Sequence, residues 1–202
     1  MDEVRRERLT LPTPLAARLL LGWLIVSEVD GRRAVGRIVE VEAYAGPEDR
    51  ASHARAGLTR RTAPMFGAPG HAYVYLVYGM HECLNVVAHA PASAGAVLLR
   101  ALEPLEGIEL MRLRRGRTHE AASRLAAGPA RLCQALAVDR GLSGHDLLAG
   151  RRLWLEAPGR GEEVAQESVA CGPRVGVAYA GEDWAGMPWR FWLRDHPSVS
   201  RS

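Results

Sequence analysis

The stretch RIVEVEAYAGPEDRASHARAG, residues 37–57, decides how this chain is read. It opens on strand-forming Ile38 and Val39, carries Glu40 and Glu42, and closes the strand on Tyr44. A loop bearing Asp49, Arg50, His53 and Arg55 follows directly. Side chains alternate across a β-strand. Period two therefore puts Ile38, Glu40, Glu42 and Tyr44 on one face, and Val39, Val41 and Ala43 on the other, the expected core face. Two carboxylates thus share a face with an aromatic, beside a loop rich in titratable groups.

Working outward, Trp23–Val29 reads as a strand, Asp30-Gly31 as a tight hairpin turn, and Ala34–Tyr44 as the return strand. Thr13 before Pro14 predicts an N-cap and a first helical position, with a short helix over Leu15–Leu21 ended by Gly22. Residues 45–71 form a connection long enough to expect function of it. AYVYLVYGMHECLNVVA, residues 72–88, predicts two apolar strands around a turn near Gly79. AVLLRAL, residues 96–102, is a further strand interrupted by Arg100. Leu105–Arg115 and the segment from Gly128-Pro129 to Val138 read as helices. RRLWLEA, VACGPRVGVAYAG and PWRFWLRD are strand-like. The expected fold class is α+β: one domain over residues 1–202, with a strongly curved, mostly antiparallel sheet, helices packed around it and a protruding β-hairpin. Residues 1–12 and 198–202 are expected to be tails.

Composition limits the chemistry. With 202 residues, 48% apolar and 24% charged, the chain is long enough for one sizeable core. All 26 cationic side chains are arginine. With no lysine, covalent amine catalysis could use only the α-amino group, whereas arginine suits planar recognition of phosphate. Cys83, Cys133 and Cys171 are odd in number and widely spaced, which indicates buried thiols and neither a disulfide framework nor a zinc site. LAARLLLGWLIV, residues 15–26, is too short to span a bilayer, and MDEVRRERL has no secretory-signal pattern. No motif suggests a metal or a cofactor. A cytoplasmic monomer is the expectation.

Each candidate residue carries two readings. Glu40 and Glu42, with Cβ atoms roughly 6.6 Å apart (two strand rises of about 3.3 Å), suit either ion pairs with arginine or the acid and base of an inverting glycosidase. Tyr73 and Tyr75 share a face suited to packing. Tyr78 and Met80 flank the hairpin tip, either as an exposed contact surface or folded back on the protein. Arg100 in an apolar strand needs a partner, and a glutamate from a neighbouring strand is the simplest one. A carboxylate next to a guanidinium, near several aromatics, is a site for activating water beside a planar ligand.

RIVEVEAYAGPEDRASH, then MFGAPGHAYVYLVYGMHECLN, then VLLRALEPLEG, strongly resembles the alkyladenine/3-methyladenine DNA glycosylases. GPARLCQAL, RVGVAYAG and PWRF extend the resemblance over about residues 13–197. The resemblance implies an enzyme that flips a damaged purine from double-stranded DNA and hydrolyses its N-glycosidic bond without cutting the strand. It implies Glu42 as the residue activating water and Arg100 beside that water. Tyr44, His53 and Tyr75 would form the slot around the base, Asn85 would crowd the exocyclic amine of guanine, and Tyr78 would enter the minor groove. The chain departs from the family pattern at Arg61-Thr62, where Arg-Asn is frequent, and at His81, where an aromatic is common. The competing readings are a damage-binding protein without hydrolysis and a carbohydrate glycosidase using Glu40 and Glu42. If bacterial, the protein would associate with the nucleoid.

Overall fold

The computed structural model describes residues 2–159 and 163–200, with side chains described from residue 6. Helices α1 (Asp2–Leu9) and α2 (Thr13–Leu20) precede a hairpin of β1 (Leu24–Val29) and β2 (Arg32–Tyr44). Asp30 and Gly31 both take positive φ, 51° and 69°, the geometry a two-residue turn needs to match strand twist. After the long connection come β3 (Ala72–Val77), β4 (His81–Val87) and β5 (Ala96–Glu106). Helices α3 (Ile108–Arg115), α4 (Ala122–Leu125) and α5 (Pro129–Leu136) follow. The chain then adds β6 (Leu153–Glu156), β7 (Val169–Gly172), α6 (Glu182–Ala185) and β8 (Arg190–Leu193).

All pairings are antiparallel, in the order β3-β4-β5-β2-β1-β6, with β8 added to β2 and β7 to β8. Strand β2 pairs with β1 through Arg37, then takes β8 as its partner over Glu40–Glu42. That exchange accompanies the strong curl of the sheet. The α+β expectation holds. The main core lies between the sheet and the helices, with Leu20 of α2, Met111 of α3 and Leu132 and Leu136 of α5 meeting Ile25, Leu99 and Trp23. Two smaller apolar clusters sit under the 45–71 connection, around Met65 and Tyr73, and around Ala51 and Val177.

Several local expectations are corrected. Ile38 does not share the side of Glu40; it joins Val41 and Ala43 in the main core. The register of β2 against β5 shifts on both sides of Glu40, and such an irregularity reverses which face each flanking residue takes. Thr13 does not cap α2: its hydroxyl donates to the Ala88 carbonyl at 2.9 Å, and Pro12 is the N-cap residue. The segment expected as an N-terminal tail contains α1, docked through buried Leu9 and an Arg6–Asp146 ion pair of 3.0 Å. Within the expected C-terminal tail, Ser198 and Ser200 are buried. RVGVAYAG is not a strand: only Val169–Gly172 pairs, and the chain then turns through Gly176 (φ 74°) into a 3-10 turn at Ala178–Ala180. Cys83 and Cys133 are buried as expected, but Cys171, on β7 at the end of the sheet, is exposed.

Candidate active site

Glu42 sits where β2 lies between β5 and β8, and its side chain is fully buried from bulk solvent at the wall of a cavity of about 410 Å³. Pockets of this size accept small planar ligands. Its Oε1 accepts the Val175 amide at 2.7 Å and pairs with Arg100 Nη1 at 3.2 Å. Its Oε2 accepts the Tyr44 hydroxyl at 2.8 Å. A carboxylate has about four lone-pair sites. Three donors orient the group and leave one lone-pair site uncommitted.

Arg100 reaches both carboxylates. Its Nε donates to Glu40 Oε1 at 2.8 Å, so one guanidinium spans Glu40 and Glu42. The pairing of β5 with β2 passes from Ala101 to Leu99 and skips Arg100. Such a bulge re-aims a side chain, and here the arginine of an apolar strand meets the carboxylates of β2. Burial opposes its charge, but Glu42 and then Glu40 outweigh that and hold its pKa up.

Glu40 is spent on structure. Arg100 and Arg190 both donate to its Oε1, Arg190 at 2.7 Å, and the Ser200 amide donates to its Oε2 at 2.7 Å. It does not line the cavity. The ion-pair reading therefore describes Glu40, and the two glutamates do not flank a common space as the acid and base of a carbohydrate glycosidase would.

All seven residues to which the family resemblance gives a role line this cavity: Glu42, Arg100, Tyr44, His53, Tyr75, Asn85 and Tyr78. Burial, and then the Glu42 charge, push the Tyr44 hydroxyl well above its ordinary pKa, so it stays a donor to Glu42. His53 Nε2 lies 3.3 Å from Arg61 Nη2, which can only donate, so Nδ1 carries the hydrogen and donates to the Tyr73 hydroxyl at 2.9 Å. Burial, and then Arg61, lower the His53 pKa to about 4, so the ring is neutral near pH 7. Its ring meets Tyr75 edge-on at 4.6 Å, and Tyr75 stacks on Tyr73 at 5.4 Å. Burial likewise raises the Tyr75 hydroxyl. Asn85, opposite Tyr73 in the β3–β4 ladder, spends its amide on the Tyr73 carbonyl at 3.0 Å.

The tip of the β3–β4 hairpin is exposed and does not fold back. Tyr78 is 88% and Met80 70% accessible. Tyr78 and Gly79 take φ of 51° and 72°. Positive φ is uncommon for a residue other than glycine, yet here it carries a large aromatic into solvent.

Sequence reasoning missed Val175 and Arg174. Val175 acts through its backbone amide, which leaves no mark in composition. Arg174 is buried among backbone carbonyls, Asp49 and the rings of Tyr44 and Trp189. Its only signal was a lone arginine inside RVGVAYAG, the kind of signal that did single out Arg100.

A buried carboxylate and arginine at the wall of an aromatic-lined cavity, beside an exposed aromatic hairpin tip, make the kind of site a hydrolytic enzyme uses beside a planar ligand. Comparison with known proteins agrees. Residues 7–197 match the family model described as methylpurine-DNA glycosylase. A protein of Methanocella arvoryzae named "Putative 3-methyladenine DNA glycosylase" is 45% identical over all of this chain and 97% of its own length. Proteins of the same name from Anaeromyxobacter dehalogenans strain 2CP-1 and Myxococcus xanthus are 49% and 46% identical. Each alignment covers 94% of this chain, with 81% and 89% of the relative. The chain belongs to the methylpurine-DNA glycosylase family. It is a hydrolase of N-glycosyl bonds that works in base-excision repair. No helix among the described residues is long and apolar enough to cross a membrane.

Proposed function

We propose that this enzyme flips alkylated or deaminated purines out of double-stranded DNA and hydrolyses their N-glycosidic bond, leaving an abasic site with the strand intact. The lesions in view are 3-methyladenine, hypoxanthine and ethenoadenine. In this reading Glu42 takes the proton of a water held at its free lone-pair site. The water oxygen bonds to C1′, and the C1′–N bond breaks with its electron pair going to the base. The Glu42 charge also stabilises oxocarbenium character at C1′. A 3-methyladenine nucleotide is already cationic and leaves as the neutral base without further protonation.

Tyr44, His53 and Tyr75 would bind the base by stacking, which favours an electron-poor alkylated purine. His53 held neutral suits a cationic lesion, since an imidazolium would repel it. Asn85 would crowd the exocyclic amine of guanine. Tyr78 would fill the gap left by the everted base and offset part of the few kcal/mol that flipping costs. A chain without lysine suits a monofunctional enzyme. The protein would act as a monomer in the cytoplasm, and on the nucleoid if it is bacterial.

The observation carrying this reading is the Glu42 carboxylate, bonded to Arg100 and Tyr44 at the wall of an aromatic-lined cavity of about 410 Å³. The test is single-turnover release of free purine from duplexes each holding one defined lesion. Glu42→Gln should lose about 10²–10⁴ in rate while still binding the lesion. Normal release by Glu42→Gln rules out Glu42 as the base, and lesion binding without release by the wild type leaves only a damage-binding role.

A further inference from the structure

Charges around the cavity cancel in groups, with one exception. Glu40 and Glu42 face Arg100 and Arg190, and Asp49 faces Arg174. The charged residues on the cavity wall are Glu42, Arg100 and Arg61. Among the described residues no carboxylate lies within ion-pair distance of Arg61, whose Nη2 meets the neutral His53 ring at 3.3 Å. Its guanidinium carbon is 5.7 Å from the centroid of Tyr75. Burial raises the Tyr73 hydroxyl, and Arg61 offsets part of that rise, so the same cation acts on a third ring of the cavity. On its other side Arg61 borders a second cavity, of about 330 Å³, which Arg50 and Arg55 also line and no carboxylate does.

A lone cation at the wall sorts ligands by charge. A purine with a fixed positive charge is repelled by it, and an uncharged purine is not. Across roughly 8 Å, at effective dielectric constants between those of a protein surface and water, that repulsion is worth about threefold to tenfold in binding. The rings act in the same direction. An aromatic face attracts a cation through its negative potential. Tyr75 already holds Arg61, and Tyr44 already holds Arg174, 4.9 Å from its centroid. A ring polarised by one cation has less to offer a second. An uncharged purine stacks without this loss, and its oxygen or ring-nitrogen acceptors suit a guanidinium with five N–H donors.

We infer that Arg61 sets the charge preference of the base slot: its uncompensated guanidinium biases excision toward uncharged damaged purines, hypoxanthine and ethenoadenine, and against cationic ones such as 3-methyladenine. The inference rests on the glycosylase reading above and narrows its substrate class. Arg61 acts here on selection of the base and takes no part in the bond-breaking step.

The test is single-turnover purine release at subsaturating enzyme from two duplexes, one holding 3-methyladenine and one hypoxanthine, by the wild type, Arg61→Gln and Arg61→Lys. Arg61 is exposed and in no ion pair, so both variants are expected to fold. Arg61→Gln keeps a polar side chain without the charge. Its ratio of 3-methyladenine to hypoxanthine release should exceed that of the wild type by about threefold to tenfold. Arg61→Lys keeps the charge and should stay near the wild-type ratio. An unchanged ratio in Arg61→Gln overturns the proposal. So does an equal shift in both variants, which would trace the preference to the shape of the arginine and not to its charge. Equal losses on both duplexes, with a slope of log K against log salt shallower by about 0.9, would make Arg61 a phosphate contact and overturn it as well. Failure of the glycosylase reading looks different: the wild type then releases neither purine, and this inference falls with it.

Discussion

Arg174 lies against Tyr44, its guanidinium carbon 4.9 Å from the ring centroid, while its two terminal nitrogens hold the oxygens of Asp49 at 2.6 and 3.0 Å. Asp49 in turn accepts the amides of Ala45 and Ala51, so the pair ties the start of the 45–71 connection to the end of β2. Both side chains are fully buried. Removing one partner of such a pair leaves an uncompensated buried charge, a cost of about 3–5 kcal/mol. Arg174→Ala should therefore lower the stability measured by urea unfolding by that amount. Arg174→Lys should recover only part of it, because an ammonium cannot grip both carboxylate oxygens in the same plane. A loss below about 1 kcal/mol in Arg174→Ala would show that Asp49 is not left as an uncompensated buried charge when Arg174 is removed.

Glu40 and Glu42 should separate on substitution although both touch Arg100. Glu40→Gln keeps an acceptor but loses the charge that faces Arg100 and Arg190. It should be less stable, with excision at a temperature where it is folded within about tenfold of the wild type, ~1.4 kcal/mol in barrier. Arg100 would still be held by Glu42. If folded Glu40→Gln is as inactive as Glu42→Gln, then Glu40 takes part in the chemistry and its description as a structural ion pair is wrong.

The parts of this architecture that were legible in the sequence are those set by local rules. Asp30-Gly31 announced its turn, the Val, Tyr and Leu run of residues 72–88 its hairpin, and the apolar spacing of residues 129–136 its helix. The same holds for Arg100, since a charge in an apolar strand requires a partner. What escaped depended on distant contacts. The face taken by Ile38 was reversed by an irregularity in the pairing with β5, and α1 exists where a polar segment docks through Leu9. RVGVAYAG has a strand's alternation, but the Val175 amide bonds Glu42 and the Arg174 side chain bonds Asp49. Those contacts replace a ladder, and nothing within eight residues encodes them.

Tyr78 offers the reverse of Arg174: a large side chain with almost no stake in the fold. At 88% exposure its truncation should leave the unfolding midpoint unchanged. If it fills the gap left by an everted base, Tyr78→Ala gives up base–aromatic stacking worth about 1–3 kcal/mol. Affinity for a lesion-bearing duplex should then fall by roughly tenfold to a hundredfold, with affinity for a free purine base unaffected. Equal duplex affinity in variant and wild type means the tip does not insert.

His53 should make stability fall in mild acid. Burial, and then Arg61, depress its pKa to about 4 in the folded protein, against about 6.5 for a free imidazole. Between those values the unfolded chain binds the proton and the folded chain does not, so stability rises with pH across the window. The contribution is complete above about pH 6.5 and is lost as pH falls toward 4. Urea midpoints at pH 7 and pH 5 measure it, because carboxylate titrations below that range add losses of their own. His53→Gln keeps a polar side chain for Arg61 and Tyr73 but cannot titrate, so its midpoint should change less between the two pH values than that of the wild type. An equal drop in both proteins would mean that the ring accepts its proton at an ordinary pH, and the neutral imidazole invoked for binding a cationic purine would have to be abandoned.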